Sequence, residues 1–324
     1  MRSPFTGGLV ELRHEKRKLS FRKEMYEYTY NYYMCADTGE NFTTTELDEV
    51  NLIQVYNQYR VKYGIPFPDE MKTIRQRYGI SALAMARILG TGENQYRLYE
   101  NGEMPSVSIG RMINSIKNKE TFLDILKDAK GSLEECEYQK ILNKVSSLQP
   151  QEQSRIFNNT CRSIHNGFAE LSESRVKNTI LYFLEKCGDI GYTKMNKLLF
   201  YTDFLSYKLR GFGITGLSYM AIQYGPVPKN WSKIYSNFDD IDVRVYETQD
   251  GGERYEMHPL IGADIQSFST DELNVFRIVI EKLGKLSART LTEISHKEDG
   301  WIENQEGHKC IPYQYAFSIK QQFV

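Results

Sequence analysis

Between Ser81 and Pro105 the chain carries a pattern with few structural solutions: two short stretches of helical spacing joined by Gly90-Thr91-Gly92. Ser81 can cap the first stretch, in which Leu83, Ala84, Ala86, Ile88 and Leu89 supply the apolar positions. The second runs from Glu93 to Glu100 and is ended by Asn101-Gly102. Helices that cross steeply over so short a turn need small residues where they meet, and Ala86 and Gly90 stand there. Tyr96 packs the second helix on the first, which leaves Glu93, Asn94, Gln95, Arg97 and Leu98 on or beside the outward face. This pattern predicts a helix-turn-helix whose second helix enters a major groove of DNA. The side-chain amides of Asn94 and Gln95 can bond adenine bidentately at N6 and N7. A plain helical core that touches no nucleic acid is the other reading of the same residues.

The chain around this segment is too long for one core. At 324 residues it predicts two or three domains, and its 40% hydrophobic and 26% charged content is that of an ordinary globular protein. No apolar run approaches the roughly 20 residues of a membrane span, and the opening MRSPFTGGLVELRHEKRK has no apolar signal segment. A cytoplasmic protein without a membrane partner is therefore expected. The cysteines Cys35, Cys136, Cys161, Cys187 and Cys310 are odd in number and form no CxxC pair, so reduced thiols are expected. A formal net charge of −1 conceals a basic run, Arg13, Lys16, Arg17, Lys18, Arg22 and Lys23, which reads as the solvated face of a hairpin.

Four regions follow from the changes of period. Residues 1–64 begin with strand-like alternation at Glu27-Tyr28-Thr29-Tyr30-Asn31-Tyr32-Tyr33 and turn helical from Thr45 to Tyr63. Residues 65–130 read as five short helices, the first from Asp69 to Tyr78. Residues 131–171 look like a polar helical linker or dimer arm broken at Pro150. In residues 172–324, Ser174 and Thr193 are candidate caps of two successive helices. The first has Val176, Ile180, Leu184 and Cys187 on one face; the second has Met195, Leu198, Leu199, Thr202, Leu205 and Leu209. Ser269 with Glu272 forms a capping box for a helix with Leu273, Phe276, Ile280 and Leu283, and Val243 to Met257 alternates as a hairpin about Asp250-Gly251-Gly252.

Two resemblances add to this reading. Leu89-Gly90, Arg97, Tyr99-Glu100-Asn101-Gly102 and Pro105 resemble the Xre/Cro helix-turn-helix repressors, and the whole stretch from Gly90 to Gly102 is closer still to MqsA-type antitoxins. The resemblance implies that Asn94 reads bases; the family's second reading position, an Arg before the Tyr-Glu pair, is Leu98 here. It also aligns Ser3-Pro4-Phe5-Thr6 and Cys35-Ala36-Asp37-Thr38 with the two CxxC pairs of that family's zinc domain. One thiolate with two Thr and a Ser cannot supply a tetrahedral zinc site, so a degenerate, zinc-less finger-like domain with no metal or other cofactor is expected.

The second resemblance covers about residues 173–320. Lys194-Met195-Asn196-Lys197-Leu198-Leu199-Phe200-Tyr201, Gly216, Tyr219, Ala221 and Tyr224-Gly225-Pro226-Val227-Pro228 resemble the Panacea, or SocA-like, antitoxin domain, as do Leu286-Ser287-Ala288, Leu291, Ser295-His296 and Trp301. That resemblance implies direct neutralisation of a protein toxin. The aromatic residues Tyr201, Tyr219, Tyr224 and Trp231 are the candidate toxin contacts, each also readable as core. Gly211-Phe212-Gly213-Ile214-Thr215-Gly216 satisfies GxGxxG but follows a helix, so it reads as a loop and not as a dinucleotide site. Five scattered His and no GxSxG elbow leave catalysis unsupported, and His296 reads as a structural histidine.

The expectation is a mostly α protein with small β elements: a finger-like β domain, a helix-turn-helix bundle and a helical α+β C-terminal domain. Its function would be that of a non-enzymatic antitoxin, a homodimer that binds operator DNA and a toxin encoded nearby. A ligand-sensing transcriptional regulator without a toxin is the alternative.

Overall fold

The computed structural model describes residues 1–149, 161–188, 190–247 and 251–323. Helices dominate, with three small antiparallel sheets among the described residues. Pro150 and Asp250, expected as a break and a turn residue, lie outside them. The chain divides into two compact units: residues 1–54 with 153–324, and residues 55–152. None of the described helices is long and apolar enough to cross a membrane.

The first unit opens with a long hairpin, β1 (Val10–Phe21) paired to β2 (Glu24–Cys35), in which Val10 faces Cys35 and Phe21 faces Glu24. The basic run lies on β1 and in its turn, as the hairpin reading expects. Strand β3 (Asn41–Phe42) covers only the end of β2, at Tyr33 and Met34. Further along, helix α1 (Thr45–Tyr63) takes the place of a third strand. Asn51 accepts the Asn31 N–H at 2.8 Å and donates to the Asn31 carbonyl at 2.9 Å. Gln54 does the same for Thr29, at 3.0 and 2.8 Å. Two amides one helical turn apart thereby satisfy backbone groups that burial would otherwise leave unpaired.

The second unit contains α2 (Pro68–Tyr78), α3 (Ala82–Ile88), α4 (Gln95–Glu100), α5 (Val107–Ser115), α6 (Lys119–Asp128) and α7 (Glu135–Ser146). Tyr78 and Phe122 stack at 3.9 Å in its core, and the Tyr78 hydroxyl donates to the Ile116 carbonyl. Arg60, buried, donates to the carbonyls of Pro66 (2.7 Å) and Gly102 (3.1 Å). Helix α7, inside the span read as a polar arm, buries Tyr138, Ile141 and Val145.

The remainder of the first unit is built around α9 (Tyr192–Arg210), in which every residue from Met195 to Tyr207 is buried. Helix α8 (Glu173–Cys187) lies beside it, capped by Ser172 and not by Ser174; Gly191, not Thr193, precedes α9. Leu209 is exposed, so the apolar face assigned from spacing stops short of it. Strands β4 (Tyr219–Ile222) and β5 (Gly225–Pro228) form a tight hairpin, α10 (Trp231–Tyr235) follows, and β6 (Ile241–Glu247) pairs with β7 (Glu253–Pro259) as the alternation predicts. Helix α11 (Thr270–Leu283) has the expected Ser269–Glu272 capping box, but its buried face is Val275, Phe276, Val279 and Leu283. Then come α12 (Ala288–Ser295), α13 (Asp299–Ile302) and β8 (Cys310–Ile311), which closes the β5-β4-β8 sheet.

Candidate functional site

Three places bring chemistry-bearing residues together. At the base of the hairpin, the four finger-frame positions converge. Cys35 and Ser3 are buried, and the Thr6 hydroxyl lies 3.5 Å from the Cys35 sulfur. Hydrogen bonds from Ser3, Thr38 and Thr6 pull the Cys35 thiol down to about 6. The side chains that hold this corner are hydroxyls around one sulfur, a set without the donors zinc requires. No group of three His, Cys, Asp or Glu among the described residues is placed to hold a metal.

In the second unit, Ser81 caps α3 by accepting the Ala84 N–H, as spacing predicts. Gly90 makes the turn at φ +64°, a conformation that costs glycine nothing. The next helix starts later than expected, at Gln95, because Asn94 is its cap residue and Glu93 belongs to the turn. Tyr96 is fully buried and bonds the Met71 carbonyl at 2.8 Å, while Arg75 holds Glu100 with two bonds of 2.6 and 3.0 Å. The short α4 is thus fixed from its inner side. Glu93, Asn94, Arg97 and Leu98 are exposed and Gln95 is half-buried. Glu93 pairs with Arg87 at 2.9 Å, and Gln95 bonds Glu103 at 2.7 Å.

The third place is the tip of the β4–β5 hairpin. Ile222 faces Gly225, so Gln223 and Tyr224 form a two-residue turn, and Tyr224 is 64% exposed. Beneath it, Lys197 of α9 is fully buried and donates to the carbonyls of Tyr224 (2.6 Å) and Pro226 (2.9 Å). Burial lowers this lysine to about 7. Gly225, at φ +89°, has no room for a side chain: a Cβ there would lie 2.6 Å from the Ser295 hydroxyl and 2.7 Å from the Lys197 nitrogen. Trp301 donates to the Ile222 carbonyl at 2.8 Å and stacks on His296 at 4.0 Å. His296 therefore braces the turn, and its buried Nε2 has no hydrogen-bond partner among the described residues.

Two further buried acids organise the same helix. Asp203 accepts the N–H groups of Ile214 (2.7 Å) and Thr215 (2.9 Å) and the hydroxyls of Thr215 and Tyr219, which folds the glycine-rich loop after α9. Burial pushes its carboxyl upward against those four bonds. Glu298 accepts the Tyr201 hydroxyl at 3.0 Å and the Lys320 N–H at 2.8 Å, and burial raises it too.

Residues 195–302 match the family model "Antitoxin SocA-like, Panacea domain". The match covers a third of the chain and supports an antitoxin-type role for it. No curated protein and no solved structure matches the chain. Within the Panacea segment, two of the four aromatic residues named as partner contacts require correction. Tyr201 and Tyr219 are fully buried and spend their hydroxyls on Glu298 and Asp203, so neither presents a surface to a partner. Tyr224 and Trp231 lie at the two ends of β5, the first exposed, the second half-buried beside Tyr192 at 5.4 Å. Spacing alone missed Lys197, Asp203 and Glu298. For Lys197 and Asp203 the signal was present in α9, where they stand among mostly apolar positions that recur on every face, the pattern of a helix buried all round.

Proposed function

We propose that this chain is an antitoxin that binds a protein toxin through the unit containing the Panacea segment and operator DNA through the α4 region. One observation carries the first half: within residues that match the antitoxin model, Tyr224 stands exposed on a turn whose backbone is tied down by a buried lysine. A large aromatic side chain offered on a rigid support buries much area at small entropic loss, the property of an interface anchor. The DNA half rests on the exposed Asn94, Arg97 and Leu98 beside a helix fixed from within. One such helix contacts few base pairs, so a homodimer on paired half-sites is part of the proposal. None of the buried polar clusters resembles a catalytic constellation, and no enzymatic role is proposed.

Co-expression with the neighbouring gene tests both halves. The wild-type chain should restore growth and co-purify with the toxin, and Tyr224→Ala should lose rescue while keeping its thermal transition. Asn94→Ala should weaken binding to the upstream operator by about 1–3 kcal/mol at fixed salt and leave rescue intact. If no neighbouring protein is captured while operator binding persists, a ligand-sensing regulator becomes the better account.

A further inference from the structure

Strand β1 is the edge of its sheet: it pairs with β2 on one side and with no other strand among the described residues on the other. The direction of its backbone groups follows from β2. Cys35 donates its N–H to Glu40, Thr29 gives both backbone groups to Gln54, and Asn31 gives both to Asn51, so all three turn away from β1. Their partners across the hairpin, Val10, Lys16 and His14, therefore turn their own N–H and C=O outward. The even-numbered residues of β1 form an open hydrogen-bonding edge, and Leu12, His14, Lys16 and Lys18 on it are exposed. On the odd-numbered face, charges alternate as Glu11, Arg13, Glu15, Arg17. They are already paired along the strand, Arg13 to Glu11 at 3.0 Å and Arg17 to Glu15 at 2.6 Å.

We infer that this edge is where a second copy of the chain docks, β1 against β1 in antiparallel sense, with His14 at the two-fold axis. In that register the even residues exchange backbone hydrogen bonds, His14 with His14, Leu12 with Lys16 and Val10 with Lys18 of the second copy. On the odd face Glu11 meets Arg17 and Arg13 meets Glu15, twice over, so carboxylates and guanidinium groups alternate around each half of the seam. A shift of two residues one way sets Arg13 against Arg13 and Glu11 against Glu15. The opposite shift sets Glu15 against Glu15 and Arg13 against Arg17. Charge thus rejects both neighbouring registers, and a shift of four residues keeps only two of the four favourable contacts, so the register centred on His14 makes the most of them. His14 is held below its ordinary value by partial burial and by Lys208, so the residue at the axis adds no charge at neutral pH. The inference shares with the DNA reading only the requirement for a dimer, since operator binding through another dimer surface would leave that reading standing, and it does not rest on the toxin reading.

The test uses the full chain without DNA or partner. Two exposed double substitutions make the odd face single-signed: Arg13→Glu with Arg17→Glu, all acidic, and Glu11→Arg with Glu15→Arg, all basic. Sedimentation should show a dimer for wild type. Each variant should raise the dimer dissociation constant by at least about tenfold, since four favourable contacts become repulsive. An equimolar mixture of the two variants should recover the dimer. The inference is overturned by a monomeric wild type at every accessible concentration, by variants that dimerise as wild type does, or by a mixture that stays monomeric. If the substitutions instead abolish toxin capture by a monomeric wild type, the edge belongs to the toxin and the inference is equally overturned.

Discussion

Lys197 is the residue with the largest consequence for its surroundings. In the unfolded chain it keeps its ordinary value of 10.5, whereas burial brings it to about 7 in the fold. Between those values the folded state has released a proton that the unfolded state still holds. Stability should therefore rise as pH increases from about 7 to 10.5, by up to about 1.4 kcal/mol per pH unit, and the gain should be absent below 7, where both states are protonated. Lys197→Met removes the proton and both donors together. Denaturant titrations should show it about 2 kcal/mol less stable than wild type at pH 7, with the pH-dependent rise lost in the variant, so that the difference widens towards pH 10.5. An unchanged slope in the variant would assign the rise to other groups. Little of this was legible in the sequence. The Tyr224–Pro228 segment is recognisable as a stiff turn from its prolines and glycine, but nothing local says that a side chain from a helix 27 residues earlier supports it from below.

At the scale of elements, α1 stands in for a strand. Asn51→Leu leaves both the N–H and the carbonyl of Asn31 without their amide partner and should cost about 2–3 kcal/mol in urea unfolding, whereas Gln54→Leu strips only the Thr29 N–H, the Thr29 carbonyl keeping the Asn31 side-chain amide at 3.0 Å, and should cost about 1–2 kcal/mol. A loss under about 0.5 kcal/mol would mean that water replaces the amides at no penalty. Elements whose own residues carry the period were legible in advance: α1 ends at Tyr63 as spacing predicts, and β6 and β7 pair as their alternation predicts. Caps were less so. Ser172 and Ser174 are both competent capping residues, and the choice depends on where the chain enters from the preceding loop, a tertiary matter. The surface helix α4 could be placed to within two residues. Tyr201 and Tyr219 were readable either as partner contacts or as core, because a helix buried all round has no polar face to orient it, and the fold decides for core.

For the molecule as a whole, the organisation is discontinuous: residues 55–152 form one unit, inserted between two parts of the other. The boundary falls inside α1, between Gln54 and Val55. The structure places β2 beside the 3-10 turn Tyr313–Ser318, and Ile53 against Gly211. A fragment of residues 172–324, the C-terminal region that the change of period suggests, should consequently melt at a lower temperature than the same fragment supplied with residues 1–54. Residues 55–152 should melt cooperatively on their own. Equal melting of 172–324 with and without the hairpin would make residues 1–54 dispensable to that unit. This arrangement also sets a schedule for biosynthesis. The hairpin leaves the ribosome before the inserted unit, yet its packing partners follow that unit, and roughly 260 residues separate Gln54 from the turn at Tyr313. At about 5–20 residues per second, the interval is on the order of 15–50 s. Throughout that time β1 and β2 can pair locally, and the inserted unit can fold completely, but the larger core cannot close. A chain interrupted after residue 152 would carry a finished 55–152 unit and an orphaned hairpin, so nascent chains would acquire the activity of the inserted unit before that of the unit whose two parts flank it in sequence.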